Sequence, residues 1–145
     1  MKAKYLIIIT IISLSGLLIA ACGQAANPFP LAGTSWKLVS YGPISAPIPA
    51  VSAENTHLTF DEQRRLSGNM GCNSFGSDYK LADNNRMIFG VGMSTMMACP
   101  GQVMEQEQTV LQVIDGEATY QLNGDNLVIT SKDGKNAATF MRAGK

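Results

Sequence analysis

Three cysteines, eight methionines and a single histidine are the residues of this 145-residue sequence best suited to chemistry. Met93, Met96, Met97 and Cys99 lie close together, with Met70 and Met104 further off. Soft thioether and thiolate ligands of this kind select Cu(I), although methionine equally fills irregular gaps in small cores. With His57 as the one imidazole, a multi-histidine metal cage or a two-histidine catalytic centre is excluded. Cys72 and Cys99 could form a disulfide, or one could act as a nucleophile with His57 as its only available base. Serine hydrolase chemistry lacks a Gly-x-Ser-x-Gly element and would also depend on His57 alone. Glu105 and Glu107 would point to different sides of a helix, and Asp61-Glu62 falls in a turn, so no paired-carboxylate site is formed. An enzyme is not expected.

The N-terminus indicates the compartment. Lys2 and Lys4 precede Leu6–Ala20, a run without a charge. It is shorter than the roughly 20 residues a membrane helix needs, and it matches the apolar region of a secretory signal. The run ends in Ile19-Ala20-Ala21-Cys22, small residues before a cysteine, with Ile19 where leucine is usual. Ordinary signal cleavage near Ala21 is the alternative, but the pattern resembles the lipobox of bacterial lipoproteins. That resemblance implies residues 1–21 as signal peptide, a lipidated Cys22, and residues 22–30 as a linker. By the sorting rule of those proteins, Gly23 implies the outer membrane, with the domain facing the periplasm. Several acyl chains, each adding about 0.8 kcal/mol per buried CH₂, hold firmly where one holds weakly.

Removing residues 1–21 leaves nine basic against eleven acidic residues, a net charge of −2. Such a surface neither neutralises nucleic-acid phosphates nor adheres to anionic lipid. An exported chain meets an oxidising environment, where two remaining cysteines most simply pair. Closing the loop between Cys72 and Cys99 would stabilise the fold by about 3.6 kcal/mol in the chain-entropy account.

The elements that must position these residues are mostly strands. Residues 35–41 alternate, with Trp36, Leu38 and Ser40 on one face. Residues 57–60 and 65–70 flank a hairpin turn at Asp61-Glu62-Gln63, and 87–91 follow the turn Asp83-Asn84-Asn85. Residues 119–122 and 127–130 form a second hairpin around Asn123-Gly124-Asp125; 138–141 follow the turn at 132–135. From Gln102 to Ile114, Val103, Met104, Val110, Leu111 and Ile114 keep helical spacing, with Glu105, Gln106, Glu107 and Gln108 as the wet face. Pro100 and Gly101 suit its start, and Gly116 its end. Gly42–Ser52 is a long, uncharged loop with three prolines, a candidate contact surface. The expected fold is therefore mainly β (α+β), a curled antiparallel sheet of about six to eight strands with one helix.

The segment Ser67-Gly68-Asn69-Met70-Gly71-Cys72-Asn73-Ser74-Phe75-Gly76-Ser77-Asp78-Tyr79 resembles the signature of the META domain, the HslJ family. Met93-Ser94-Thr95-Met96-Met97-Ala98-Cys99-Pro100 and the opening Leu31-Ala32-Gly33-Thr34-Ser35-Trp36-Lys37-Leu38 are similar to it too. The resemblance covers Leu31–Arg142, and residues 31–145 are taken as the domain. It implies a small mixed fold, associated with heat or envelope stress and in some members with novobiocin resistance, and no established enzymatic activity.

These motif residues also have a plain physical reading as a stapled loop. Gly68, Gly71 and Gly76 permit turns, Asn73 can bond nearby backbone, and Tyr79 can bury its ring. As a binding surface, the candidates are Gly71, Asn73, Gly76, Tyr79, Met96, Met97 and Pro100. The expectation is a monomeric, non-catalytic outer-membrane lipoprotein without cofactor or resident metal, touching the membrane through its anchor and possessing at most an envelope-protein partner. An inhibitor or binding module for an envelope enzyme is the alternative, and periplasmic Cu(I) binding a third.

Overall fold

The computed structural model describes residues 30–144; the expected signal peptide, Cys22 and the linker up to residue 29 lie outside them. In chain order the elements are β1 (Thr34–Pro43), β2 (Ile48–Pro49), β3 (His57–Phe60), β4 (Arg65–Asn69), β5 (Ser74–Ala82) and β6 (Arg86–Phe89). Then come β7 (Met93–Ser94), the helix α1 (Gln102–Val113), β8 (Glu117–Asn123), β9 (Asn126–Ser131) and β10 (Asn136–Arg142). Eight of the strands pair in the cyclic order β1-β3-β4-β5-β6-β8-β9-β10, and β10 returns to β1. The expected curled sheet is a closed antiparallel barrel, and closure removes the free edges an open sheet would carry. The two-residue strands β2 and β7 are additions, on β1 and β5 respectively.

Period-two patterning builds the interior. Trp36, Leu38, Leu58, Phe60, Leu66, Met87, Leu127, Ile129 and Phe140 are all buried, with Trp36 opposite Leu58 and Leu38 opposite Phe140. Arg142 lies over the Trp36 ring at 4.5 Å, a cation–π contact at the barrel wall.

Strand direction alternates around the barrel. The start of β1, the end of β10 and the turns at 61–64, 83–85 and 123–125 therefore share one end, here the terminal end. The 44–56 loop, the 70–73 loop and the 132–135 turn share the other. Helix α1 packs against β1, β9 and β10 there, with Val110 and Val113 fully buried.

Three local expectations are corrected. In β1 the register shifts between Leu38 and Ser40, a bulge that leaves Val39 exposed and turns Tyr41, not Ser40, inward. Residues 74–79, expected as part of a motif loop, instead belong to the long strand β5, with Phe75 and Tyr79 facing the core. Gly76 consequently sits in a ladder opposite Ser67 and turns nothing. The 42–52 segment also contains a short pairing, Ile48 with Tyr41 and Pro49 with Ser40.

Candidate functional site

At the helix end, α1 brings two adjacent polar side chains into the protein. Gln106 is 0% and Glu107 4% exposed, whereas Glu105 and Gln108 are exposed. The four-residue wet face expected from polarity is thus split. The barrel's end loops present backbone N–H groups that need acceptors, and Gln106 and Glu107 meet that need.

Glu107 Oε2 accepts the backbone N–H of Cys72 at 3.1 Å and of Asn73 at 2.5 Å; Oε1 accepts Asn73 Nδ2 at 2.6 Å. Three donors compensate a carboxylate that burial would otherwise penalise. Gln106 Nε2 donates to the Met70 carbonyl at 2.7 Å, and its Oε1 accepts the Val51 N–H at 2.7 Å. One helical turn therefore ties down both the 70–73 loop and the proline-rich loop.

Gly71 makes this approach possible. Its φ is 130°, and a Cβ there would lie 2.8 Å from Val103 Cγ1 and 3.3 Å from Gln106 Nε2. Any side chain would force Val103 or the loop to shift and would be strained at this φ.

Asn73 carries the network outward. Its Oδ1 accepts the Met97 N–H at 2.7 Å and the Thr95 hydroxyl at 2.9 Å, while Nδ2 reaches the Met97 carbonyl at 3.3 Å. Cys72 and Cys99 are joined by a disulfide. The 90–101 segment is in this way fastened as a strap along β5.

The strap's large apolar side chains face solvent. Val91 is 98%, Met93 82% and Met96 98% exposed, and Met97 is more than half exposed. The methionines that fill the core are instead Met70 and Met87. Pro100 is exposed at the helix start, and Gly101 has the positive φ of 60° that starts the helix. With Cys72 and Cys99 in the disulfide, Met93, Met96 and Met97 have no free thiol beside them among the described residues. His57 is exposed on β3, its Nδ1 3.4 Å from the Asn55 carbonyl.

Tyr79 belongs to a different region. Its ring meets Phe60 edge-on at 4.9 Å in the core. Burial pushes its phenol above the usual 10.0, Asp61 adds to the rise, and Arg64 opposes it. The structure thus joins Gly71, Asn73, Cys72, Cys99, Met97 and Pro100 at one end of the barrel and leaves Gly76 and Tyr79 outside that cluster. Sequence reasoning missed Gln106 and Glu107; no apolar signal marks them, because their burial depends on donors distant in sequence.

An eight-stranded antiparallel barrel with one helix across its end, and a strap stapled beside that helix, defines the class of this small domain. The chain belongs to the META domain family, whose profile matches residues 29–144. It is 27% identical over 84 residues to heat shock protein HslJ of Escherichia coli (strain K12), covering 57% of this chain and 59% of that one. The aligned region thus spans less than two thirds of that relative's length. A Burkholderia xenovorans protein solved by NMR has the same fold, with TM-score 0.67 and 25% identity, over 82% of this chain and 90% of that one. A DUF4847 family protein from Bacteroides vulgatus ATCC 8482 shares the fold at TM-score 0.56 and 9% identity, over 79% of this chain and 96% of that one.

Proposed function

We propose that this protein is a lipid-anchored, periplasm-facing outer-membrane protein whose META domain contributes to envelope or heat-stress tolerance without catalysis. The observation that carries the reading is the family match over residues 29–144, together with a relative named as a heat shock protein. The Ile19-Ala20-Ala21-Cys22 element supports the anchor. The arrangement of the barrel suits a tether: the chain enters at Leu31 on the terminal end, so the stapled helix end is directed away from the point of attachment.

The polar groups of the helix end support a non-catalytic role. Glu107, Gln106 and Asn73 spend their hydrogen-bonding capacity on backbone and on one another, as structural groups do. A reactive centre would instead leave a base or nucleophile aimed at a substrate.

The test is a deletion strain complemented with the wild-type gene, with Cys22→Ser, or with an empty vector, then challenged by heat and by novobiocin. Wild type should restore survival, and Cys22→Ser should restore much less while abolishing radiolabelled palmitate incorporation. Equal survival of the deletion and parent strains in both challenges would overturn the reading.

A further inference from the structure

We propose that the strap and the groove beside it form a docking site for an extended polypeptide segment, one with alternating apolar side chains and a cationic residue at one end. The site goes beyond the tether and the stress role, and it is tested by binding alone, whatever a deletion strain does.

Three observations carry it. First, among the described residues β7 pairs only with β5. Antiparallel pairing alternates, and Thr95 donates its N–H to Ser74 at 3.0 Å while Met93 faces Gly76. The Ser94 N–H and C=O therefore face away from β5, leaving a strand edge open to an added strand. Lysines, prolines or bulges commonly protect such edges, but residues 90–98 contain neither a charge nor a proline.

Second, the edge borders a groove of about 430 Å³ between the strap and the C-terminal half of α1. Leu66, Phe75, Met93, Leu111 and Ile114 line it, so every second side chain of an incoming strand would meet apolar surface. Val91 and Met96 extend that surface outward, nearly fully exposed.

Third, the groove has a charge at one end. Asp115 lines it and makes no ion pair among the described residues. It directly follows the α1 C-terminus, whose last turn carries no basic residue. A carboxylate beside a helix's negative end is unfavourable unless a cation faces it.

The charge selects the occupant. A second copy pairing strap to strap would bring no basic residue from residues 90–101 to either Asp115. An anionic lipid surface would be repelled by the same carboxylate. A peptide strand with a lysine or arginine satisfies edge, groove and charge together.

The experiment uses the full chain in lipid nanodiscs, with empty discs as the blank. A fluorescein-labelled peptide of alternating valine and threonine, ending in lysine, is titrated and followed by anisotropy. Saturable binding is expected, weakened about tenfold by Ser94→Pro, which removes an outward N–H, and similarly by Met93→Glu. Replacing the peptide's lysine by glutamine should weaken binding several-fold, and Asp115→Asn should erase that difference. Met93 is so exposed that its variant should keep wild-type thermal stability, so it serves alone if Ser94→Pro unfolds. Failure to bind, or binding indifferent to Met93→Glu, would overturn the proposal. So would a strap-dependent dimer in analytical ultracentrifugation, or strap-dependent vesicle flotation without peptide binding.

Discussion

Glu107 holds Asn73 by both its main chain and its side chain, one carboxylate oxygen on the amide N–H and the other on Nδ2. Asn73 then holds Met97 by both N–H and C=O. Helix, loop and strap are joined through two buried side chains, and the exposed part of the strap depends on that joint.

The joint requires an acceptor at both oxygens. Glu107→Gln preserves volume but turns an amide NH₂ toward one of the donors. It should lower unfolding free energy by about 1–3 kcal/mol, the penalty of an unsatisfied buried group, read from urea denaturation. Glu105→Gln, two positions earlier on the exposed side of the helix, should change stability by less than about 0.5 kcal/mol.

The two motif glycines on either side of Asn73 should separate sharply. Gly71→Ala adds a Cβ 2.8 Å from Val103 at a φ of 130°, and should cost about 2–4 kcal/mol. Gly76→Ala meets nothing nearer than the Leu66 carbonyl at 3.7 Å, so its effect should stay within about 1 kcal/mol. Thermal unfolding of the two variants side by side checks both.

The disulfide closes a loop whose ends are 27 positions apart. Paired Cys72→Ser and Cys99→Ser substitutions should lower stability by about 3–4 kcal/mol, and reductant should lower the wild type to a similar level. Hydrogen exchange should rise most in 90–101, where the strap would retain its Asn73 bonds but lose its covalent tie.

Alkaline pH should destabilise the barrel. Burial raises the phenols of Tyr41, Tyr79 and Tyr120 above the usual 10.0, with Glu105 adding to the rise at Tyr41. The fold thus favours their neutral, protonated forms. That stabilisation is complete below about pH 10, the unfolded value, and is lost as pH rises through the higher folded values. Urea midpoints measured from pH 8 to pH 11 should fall above about 10, and Tyr79→Phe should flatten the fall.

Much of the fold was legible where local signals suffice. The Asp61 turn is an example: its carboxylate accepts the N–H groups of Gln63 and Arg65 at 2.9 and 2.7 Å, and the flanking strands alternate. The same holds for the Asn84-Asn85 turn, where both residues take positive φ. Strand β5 was obscured because Gly76-Ser77-Asp78 interrupts the apolar alternation between Phe75 and Tyr79. The Val39 bulge is set by pairing with β10, about 100 residues away in sequence, and carries no local mark. Glu107 and Gln106 read as solvated because polarity alone cannot reveal which backbone donors will meet a helix after the barrel closes. The cysteine pair and the 67–100 motif, by contrast, located the helix-end site without showing how it is held.

On the proposed function, this barrel works from a lipid tether in an oxidising compartment, its helix end presented outward. Intact-mass analysis of the protein purified from its native membrane is the decisive test of tether and disulfide together. The expected mass is that of a chain beginning at Cys22, heavier by its acyl groups and lighter by the two hydrogens lost at Cys72 and Cys99. An unacylated chain, with both inner cysteines open to alkylation before reduction, would contradict it.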